Sequence, residues 1–188
     1  VSLRSADVST QLLAQDCLYS VLSEDATGVE SRVIGVVQEV LVASAGVSKI
    51  ADVIARQDIR VLTLTITEKG YTLAADGKSL NRKDATVKSD LKNPAQPRSA
   101  IGILALGLQQ RVAAGGAPVT IMSCDNLSAN SKVLRAVLSD YLQSTFPAVL
   151  PWLKTAARFP CSMVDRIVPA MTDSGRQRQA QLLGLRDE

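Results

Sequence analysis

Apolar residues at helical spacing alternate with short runs of β-branched residues along the middle of the chain. Apolar positions recur at intervals of three and four over 47–56, which predicts a helix. The next run, 61–66, alternates between Leu or Ile and semi-polar residues, which predicts a buried strand. This strand is expected to end at the polar segment Thr67–Gly70.

A second helix–strand–helix pattern follows. A helix is predicted to begin near Ser99 and to end at Gly115–Gly116. Its expected buried stripe is Ile101, Leu104, Leu108 and Val112. A buried strand over 119–122 and a helix over 129–144 come next. This alternation predicts an α/β domain with a parallel sheet, in which ligands bind at the carboxyl ends of the strands.

The remaining segments have weaker patterns. Residues 8–15 favour a short helix, and β segments over 17–22 and 32–42 flank the turn-rich stretch 23–28, which predicts a β-hairpin. Residues 75–97 have little apolar periodicity, so we expect a connection over the surface without regular structure.

Composition narrows the classes of function. Apolar residues make up 46% of the chain, enough for a sizeable core, and charged residues make up 21%. The net charge of +3 is scattered along the sequence, so we expect no nucleic-acid partner. No apolar run reaches the roughly 20 residues of a membrane span, and the first residues lack the pattern of a signal peptide.

Candidate chemistry is limited by what the sequence lacks. The three cysteines are far apart and have no metal-type spacing, so we expect no metal site and reduced thiols in the cytoplasm. There is no GxGxxG or Walker-type loop. There is also no histidine, which indicates either another base or acid–base machinery that this chain does not contain.

Several motifs occur in an order that resembles one family. They are Asp16–Tyr19, the TEKGY segment 67–71, the PRSAIG segment 97–102, Ser123–Leu127 with Asn130, and the FPCSMVDRIVP segment 159–169. The chain thereby resembles the long-chain, mannitol dehydrogenase-like polyol and sugar-acid dehydrogenases. The last segment is most similar to the fructuronate reductase branch.

The resemblance implies an architecture and a reaction. It implies a Rossmann-type NAD-binding domain over 1–170, with a mostly parallel sheet and an added hairpin, and a connection over 171–188 to a helical substrate domain. The first βα unit and the helical domain are expected outside this chain, as are a catalytic lysine and histidine. NAD is the expected cofactor, with NADP not excluded. The isolated chain should therefore be inactive on keto sugar acids.

Candidate site residues lie at the two predicted strand ends. The resemblance makes Asn126 the catalytic donor to the substrate oxygen, and the alternative is an N-cap of the next helix. Thr67, Glu68, Ser123 and Asp125 are the cofactor candidates. Glu68 could instead be a loop charge, and Asp125 could anchor the loop by accepting backbone N–H bonds.

Further candidates lie downstream. Asn130 is a weaker substrate candidate than Asn126. Asp165 and Arg166 either line the cofactor cleft or form a local ion pair. The substrate expected from the resemblance is a keto sugar acid such as fructuronate, interconverted with mannonate. A mannitol 2-dehydrogenase or related polyol dehydrogenase and a non-catalytic nucleotide-binding or interaction module remain the alternatives.

Overall fold

A computed structural model describes residues 1–3, 6–164 and 170–184. The helices are α1 (Asp7–Ala14), α2 (Val47–Ala55), α3 (Thr67–Gly70), α4 (Ala85–Lys92), α5 (Ala100–Ala113), α6 (Asn130–Thr145), α7 (Leu150–Ala156) and α8 (Asp173–Leu183). The strands are β1 (Tyr19–Asp25), β2 (Gly28–Ile34), β3 (Val61–Leu64), β4 (Val119–Ser123) and β5 (Ala157–Arg158). Short 3₁₀ turns occupy Ala43–Ala45 and Pro147–Val149. The chain divides into two compact units, residues 1–42 with 166–188, and residues 43–165.

The first unit contains the predicted hairpin, with shifted strands. β1 and β2 pair antiparallel from Tyr19 opposite Ile34 to Asp25 opposite Gly28. The prediction that the second strand reaches residue 42 was wrong, because β2 ends at Ile34. The carboxylate of Asp25 accepts the backbone N–H groups of Thr27 (2.7 Å) and Gly28 (3.2 Å), which fixes the turn at residues 26–27, within the turn-rich stretch.

The helix α8 belongs to the same unit as the hairpin. The hydroxyl of Thr172 accepts the backbone N–H of Gly175 and thereby caps the first turn of α8. Gln179 is buried and donates to the hydroxyl of Ser31 on β2 at 3.1 Å. Residues 173–183, expected to be part of a connection, thus form a helix.

The second unit confirms the predicted α/β pattern with a parallel sheet. The sheet order is β3–β4–β5, and both pairs are parallel. β4 lies in the centre, and its residues Val119 and Ile121 are buried. β3 pairs with β4 alone among the described strands, so it is only partly covered and Val61 is 53% exposed. The prediction that this strand is buried was therefore wrong.

The helix α5 forms the centre of the second unit. The predicted stripe was too narrow, because all eight residues from Ile101 to Leu108 are buried. Because residues 101–108 are apolar around the whole circumference of the helix, this part of α5 is buried on all sides. Its contact with α2 depends on Gly107, where an added Cβ would lie 2.6 Å from the Cβ of Ile54.

The segment 75–97 contains α4, so the expectation of an irregular connection was wrong. Asp84 caps this helix by accepting the N–H groups of Thr86 and Val87. Asp90 is 1% exposed and accepts the N–H groups of Arg98 and Ser99 and the hydroxyl of Ser99, which holds the start of α5 in place. Within the described residues, no helix is long and apolar enough to cross a membrane. The same residues contain no group of three or more potential metal ligands.

Candidate functional site

The carboxyl ends of β3 and β4 meet at one edge of the sheet, as the alternation predicts. β3 ends at Leu64, and its carbonyl accepts the N–H of Cys124 at 2.8 Å, just beyond β4. Two loops leave this edge: one leads into α3, and the other, residues 124–129, leads into α6. Every described candidate from the sequence lies in α3, at the end of β4, on the 124–129 loop or at the first residue of α6.

Asp125 connects the two loops. It is 7% exposed, and its carboxylate accepts the backbone N–H groups of Ile66 (3.0 Å) and Thr67 (2.9 Å). It also accepts the phenol hydroxyl of Tyr71 at 2.6 Å. The interpretation of Asp125 as a loop anchor is therefore confirmed. Its role in cofactor binding stays a prediction.

Ser123 and Tyr71 extend this network into the core, where both are 0% exposed. The Ser123 hydroxyl lies 2.5 Å from the Tyr71 oxygen. Because the phenol donates its single hydrogen to Asp125, Ser123 is the donor in this pair. Burial, and next the hydrogen bond to Asp125, raise the pKa of Tyr71, so the phenol stays protonated at neutral pH.

Asn130 is enclosed in the protein. It is 1% exposed, and its amide nitrogen donates to the carbonyl oxygens of Asp125 (3.0 Å) and Ser162 (3.1 Å). Its amide oxygen accepts the N–H groups of Ser131 and Ser162. Ser162 in turn donates to the carbonyl of Ser123 at 2.6 Å. We call this set of contacts the Asn130–Ser162 link; it joins the 124–129 loop to the FPCSMVD segment.

Three of the candidate side chains remain at the surface of this edge. Asn126, Thr67 and Glu68 are all exposed. The alternative reading of Asn126 as an N-cap is wrong, because α6 begins at Asn130 and its N-cap position is Ala129. Thr67 has a positive φ of 60°, which is rare for a β-branched residue and costs strain. Such strain tends to occur at ligand sites.

Sequence reasoning missed two members of the network, Tyr71 and Ser162. Tyr71 was quoted only as the last letter of the TEKGY motif, and Ser162 only within the FPCSMVD segment. A signal for Tyr71 existed, because a tyrosine shortly after a strand end is well placed to reach a neighbouring strand end with its hydroxyl. Asp165 and Arg166 lie outside the described residues.

Comparison with known proteins gives the family context of this edge. A family model described as the mannitol dehydrogenase Rossmann domain matches residues 1–185. The chain is 38% identical to the uncharacterized oxidoreductase YdfI and 37% identical to D-mannonate oxidoreductase, both from Escherichia coli (strain K12). Each alignment covers 94% of this chain and 36% of the relative.

A solved structure agrees with the fold. The Pseudomonas fluorescens mannitol 2-dehydrogenase ternary complex with NAD and D-mannitol matches with a TM-score of 0.89 and 33% identity. The match covers 98% of this chain and 38% of that one. The Rossmann-type fold expected from the resemblance is confirmed, and the chain spans less than half the length of these proteins.

Proposed function

This chain belongs to the mannitol dehydrogenase family, and we propose that it forms the dinucleotide-binding part of an NAD-dependent dehydrogenase. The proposed reaction interconverts a keto sugar acid such as fructuronate and the hydroxy acid mannonate. The observation that carries the proposal is Asn126, an exposed amide next to a buried anchor at the carboxyl edge of the sheet. Ligands of open parallel sheets bind at this edge.

The exposed groups at this edge suit a nicotinamide–ribose unit. They comprise the Thr67 hydroxyl and the Glu68 carboxylate, both of which hydrogen-bond to neutral polar partners. NAD supplies the hydride acceptor and donor. We assign Glu68 and Thr67 to the ribose, whereas Ser123 and Asp125 support the edge from inside. For the pyrophosphate we assign no residue, because the sequence has no GxGxxG loop.

Asn126 is the proposed catalytic residue. Reduction of a ketone builds negative charge on its oxygen, and a fixed amide N–H₂ group stabilises that charge without reorganisation. The proton must come from a group other than histidine in this chain, because the chain has none. We propose that a lysine, assisted by a histidine, acts from the remaining length of the protein, as the family resemblance implies.

The sugar-acid substrate rests on the 37% identity to a D-mannonate oxidoreductase. The second candidate is a polyol, favoured by the similarity to mannitol 2-dehydrogenase. Turnover of fructuronate and mannonate, compared with fructose and mannitol, separates the two. We further propose a cytoplasmic location, since Cys17, Cys124 and Cys161 are all free thiols.

Asn126→Ala in the complete protein tests the catalytic assignment. We expect kcat/KM to fall roughly 100- to 1,000-fold, the usual effect of losing one oxyanion donor, while the affinity for NAD changes little. Asn93→Ala, at an exposed asparagine after α4, is the matched control and should leave both unchanged. Unchanged turnover in Asn126→Ala would refute the catalytic role. Absence of NAD(P) binding by the wild type would favour a non-catalytic module.

A further inference from the structure

We propose that Asp125 is a positioning residue that, with Tyr71 as its partner, fixes two segments at the carboxyl edge of the sheet at once. These segments, residues 65–71 and residues 124–129, are called the cofactor-side loops. The inference rests on the proposed function, because it concerns the same edge of the sheet. It assigns Asp125 an indirect role: the carboxylate acts on the cofactor through Thr67 and Glu68, and its backbone supports Asn126 on the substrate side. The contacts of its side chain and of its backbone each carry part of this argument.

The side chain of Asp125 holds the loop after β3 at two points. Its oxygens accept the N–H groups of Ile66 and Thr67 at one end of the loop and the Tyr71 hydroxyl at the other. The exposed residues Glu68 and Lys69 lie between these points, and the side chain of Thr67 is exposed at the first of them. The bond to the Thr67 N–H also holds the residue with positive φ. One carboxylate therefore sets the conformation of the segment that presents Glu68.

The backbone of Asp125 holds the second loop. Its N–H donates to the Ser123 hydroxyl at 3.3 Å. Its carbonyl accepts from Asn130 at 3.0 Å and from the N–H of Leu127 at 2.9 Å. That carbonyl belongs to the peptide group leading into Asn126. The backbone on which the Asn126 amide is carried is therefore fixed, although its side chain is exposed.

The hydrogen bonds of the Asp125 carboxylate indicate that its role is to fix the positions of the two loops. A buried carboxylate loses its hydration, and no cation among the described residues contacts that of Asp125. It is compensated by directed N–H and O–H groups, which stabilise it only at short range and with good alignment. A displacement of either loop would break several of these bonds together. The arrangement thus couples the position of Glu68 to that of Asn126.

Asp90 offers a matched control in the same unit. It is also buried, and it accepts two backbone N–H groups and one hydroxyl, as Asp125 does. Its partners, Arg98 and Ser99, lie at the start of α5 and not on either cofactor-side loop. Substitution of Asp90 removes an equivalent set of bonds without touching the proposed site.

The test compares Asp125→Ala, Asp125→Asn, Tyr71→Phe and Asp90→Ala in the complete protein. Two quantities are measured well below the Tm of each variant: NAD affinity by calorimetry, and amide hydrogen exchange at Ile66 and Thr67. Asp125→Ala should weaken NAD binding 10- to 100-fold and accelerate exchange at both amides at least 10-fold. Asp125→Asn and Tyr71→Phe should show smaller changes in the same direction. Asp90→Ala should change neither quantity.

The outcomes are distinguishable. Unchanged NAD affinity in folded Asp125→Asn and Tyr71→Phe, with faster exchange at Ile66 and Thr67, would overturn the positioning role and leave the proposed function intact. An equal loss of affinity in Asp90→Ala would also overturn it, since the effect would then be a general loss of stability. Failure of the wild type to bind NAD or NADP would overturn the proposed function and this inference together.

Discussion

The two ends of the parallel sheet are each held by one buried charged residue, and the charges are opposite. At the amino end, Arg111 is 0% exposed and donates to the carbonyl oxygens of Ile54, Arg56, Ile59, Ala117 and Pro118. At the carboxyl end, Asp125 accepts two N–H groups and a phenol. Arg111 donates to carbonyl oxygens at the end of α2 and in the segments before β3 and β4, whereas Asp125 accepts N–H groups from the segment after β3.

The difference between the ends lies in what surrounds the charge. The Arg111 guanidinium has five N–H donors, and five carbonyl oxygens accept them, so this end is closed by backbone alone. Burial lowers the pKa of Arg111, opposed by the charge of Asp58. Beside Asp125, by contrast, the side chains of Asn126, Thr67 and Glu68 are exposed, and these are the groups that we propose to contact the ligands. A buried charge alone therefore does not mark a site.

The largest expected effect comes from Arg111→Ala. The change removes the guanidinium donors to five carbonyl oxygens at the end of α2 and before β3 and β4, and we expect a loss of about 3–5 kcal/mol in the free energy of unfolding. Arg111→Lys should lie between the variant and the wild type, since lysine has three donors. Denaturant unfolding measures both.

Arg82→Ala is the matched control for Arg111. Arg82 is exposed and also donates to a carbonyl, that of Asp140, and to the hydroxyl of Ser144. Surface changes of this kind shift stability by no more than about 0.5 kcal/mol. If Arg111→Ala were no more destabilising than Arg82→Ala, the amino end would not depend on the buried guanidinium.

The sequence predicts the long, strongly patterned elements of this sheet and fails where distant polar groups decide the structure. The predicted strand over 119–122, the helix from near Ser99 to Gly115–Gly116 and the helix over 129–144 agree with β4, α5 and α6 to within a residue or two. α4 was missed because only two of its eight residues, Val87 and Asp90, are buried.

The buried residues Asp125 and Arg111 show more clearly which contacts the sequence does not predict. Asp125 accepts hydrogen bonds from Ile66, Thr67 and Tyr71, which are 59, 58 and 54 residues away in the sequence, so its own loop gives no sign of them. Arg111 lies near the end of a helix, where a basic residue normally faces solvent and complements the helix dipole. Nothing in the local pattern indicates that five carbonyls surround it.

The second-largest expected effect concerns Asn130 at the carboxyl end of the sheet. It tests whether Asn130 supports the structure while the neighbouring Asn126 has the proposed catalytic role. Asn130→Ala removes the Asn130–Ser162 link, so we expect a loss of about 2–3 kcal/mol in the free energy of unfolding. Asn130→Asp should be at least as destabilising, because it places a carboxylate oxygen against two carbonyl oxygens. The exposed neighbour variant Asn126→Ala should leave unfolding unchanged. Equal stability of the Asn130 and Asn126 variants would contradict this division.

The smallest expected effect concerns Asp76, which accepts hydrogen bonds from the same kinds of donor as Asp125 but lies at an exposed site. Asp76 is exposed and accepts the N–H groups of Lys78 and Ser79, both at 2.9 Å, and the Ser79 hydroxyl at 2.6 Å. The Ser79 hydroxyl, followed by the backbone N–H groups, lowers the pKa of Asp76 from 3.8 to about 2. Because the folded pKa is the lower one, the stabilisation is complete above pH 3.8 and is lost as the pH falls through about 2.

Ser79→Ala should therefore raise the pKa of Asp76 toward 3.8, as measured by NMR titration of its carboxyl carbon. By the same linkage it should lower the stability above pH 3.8 by an amount that solvent screening keeps small, and it should leave the stability below about pH 2 unchanged. A wild-type midpoint already at 3.8 would show that this turn does not bind the carboxylate in solution. The contrast with Asp125 then rests on burial. Backbone N–H groups and a hydroxyl mainly shift the acid titration of the exposed Asp76. The same kinds of donor, where water is excluded around Asp125, fix the two loops of the proposed site.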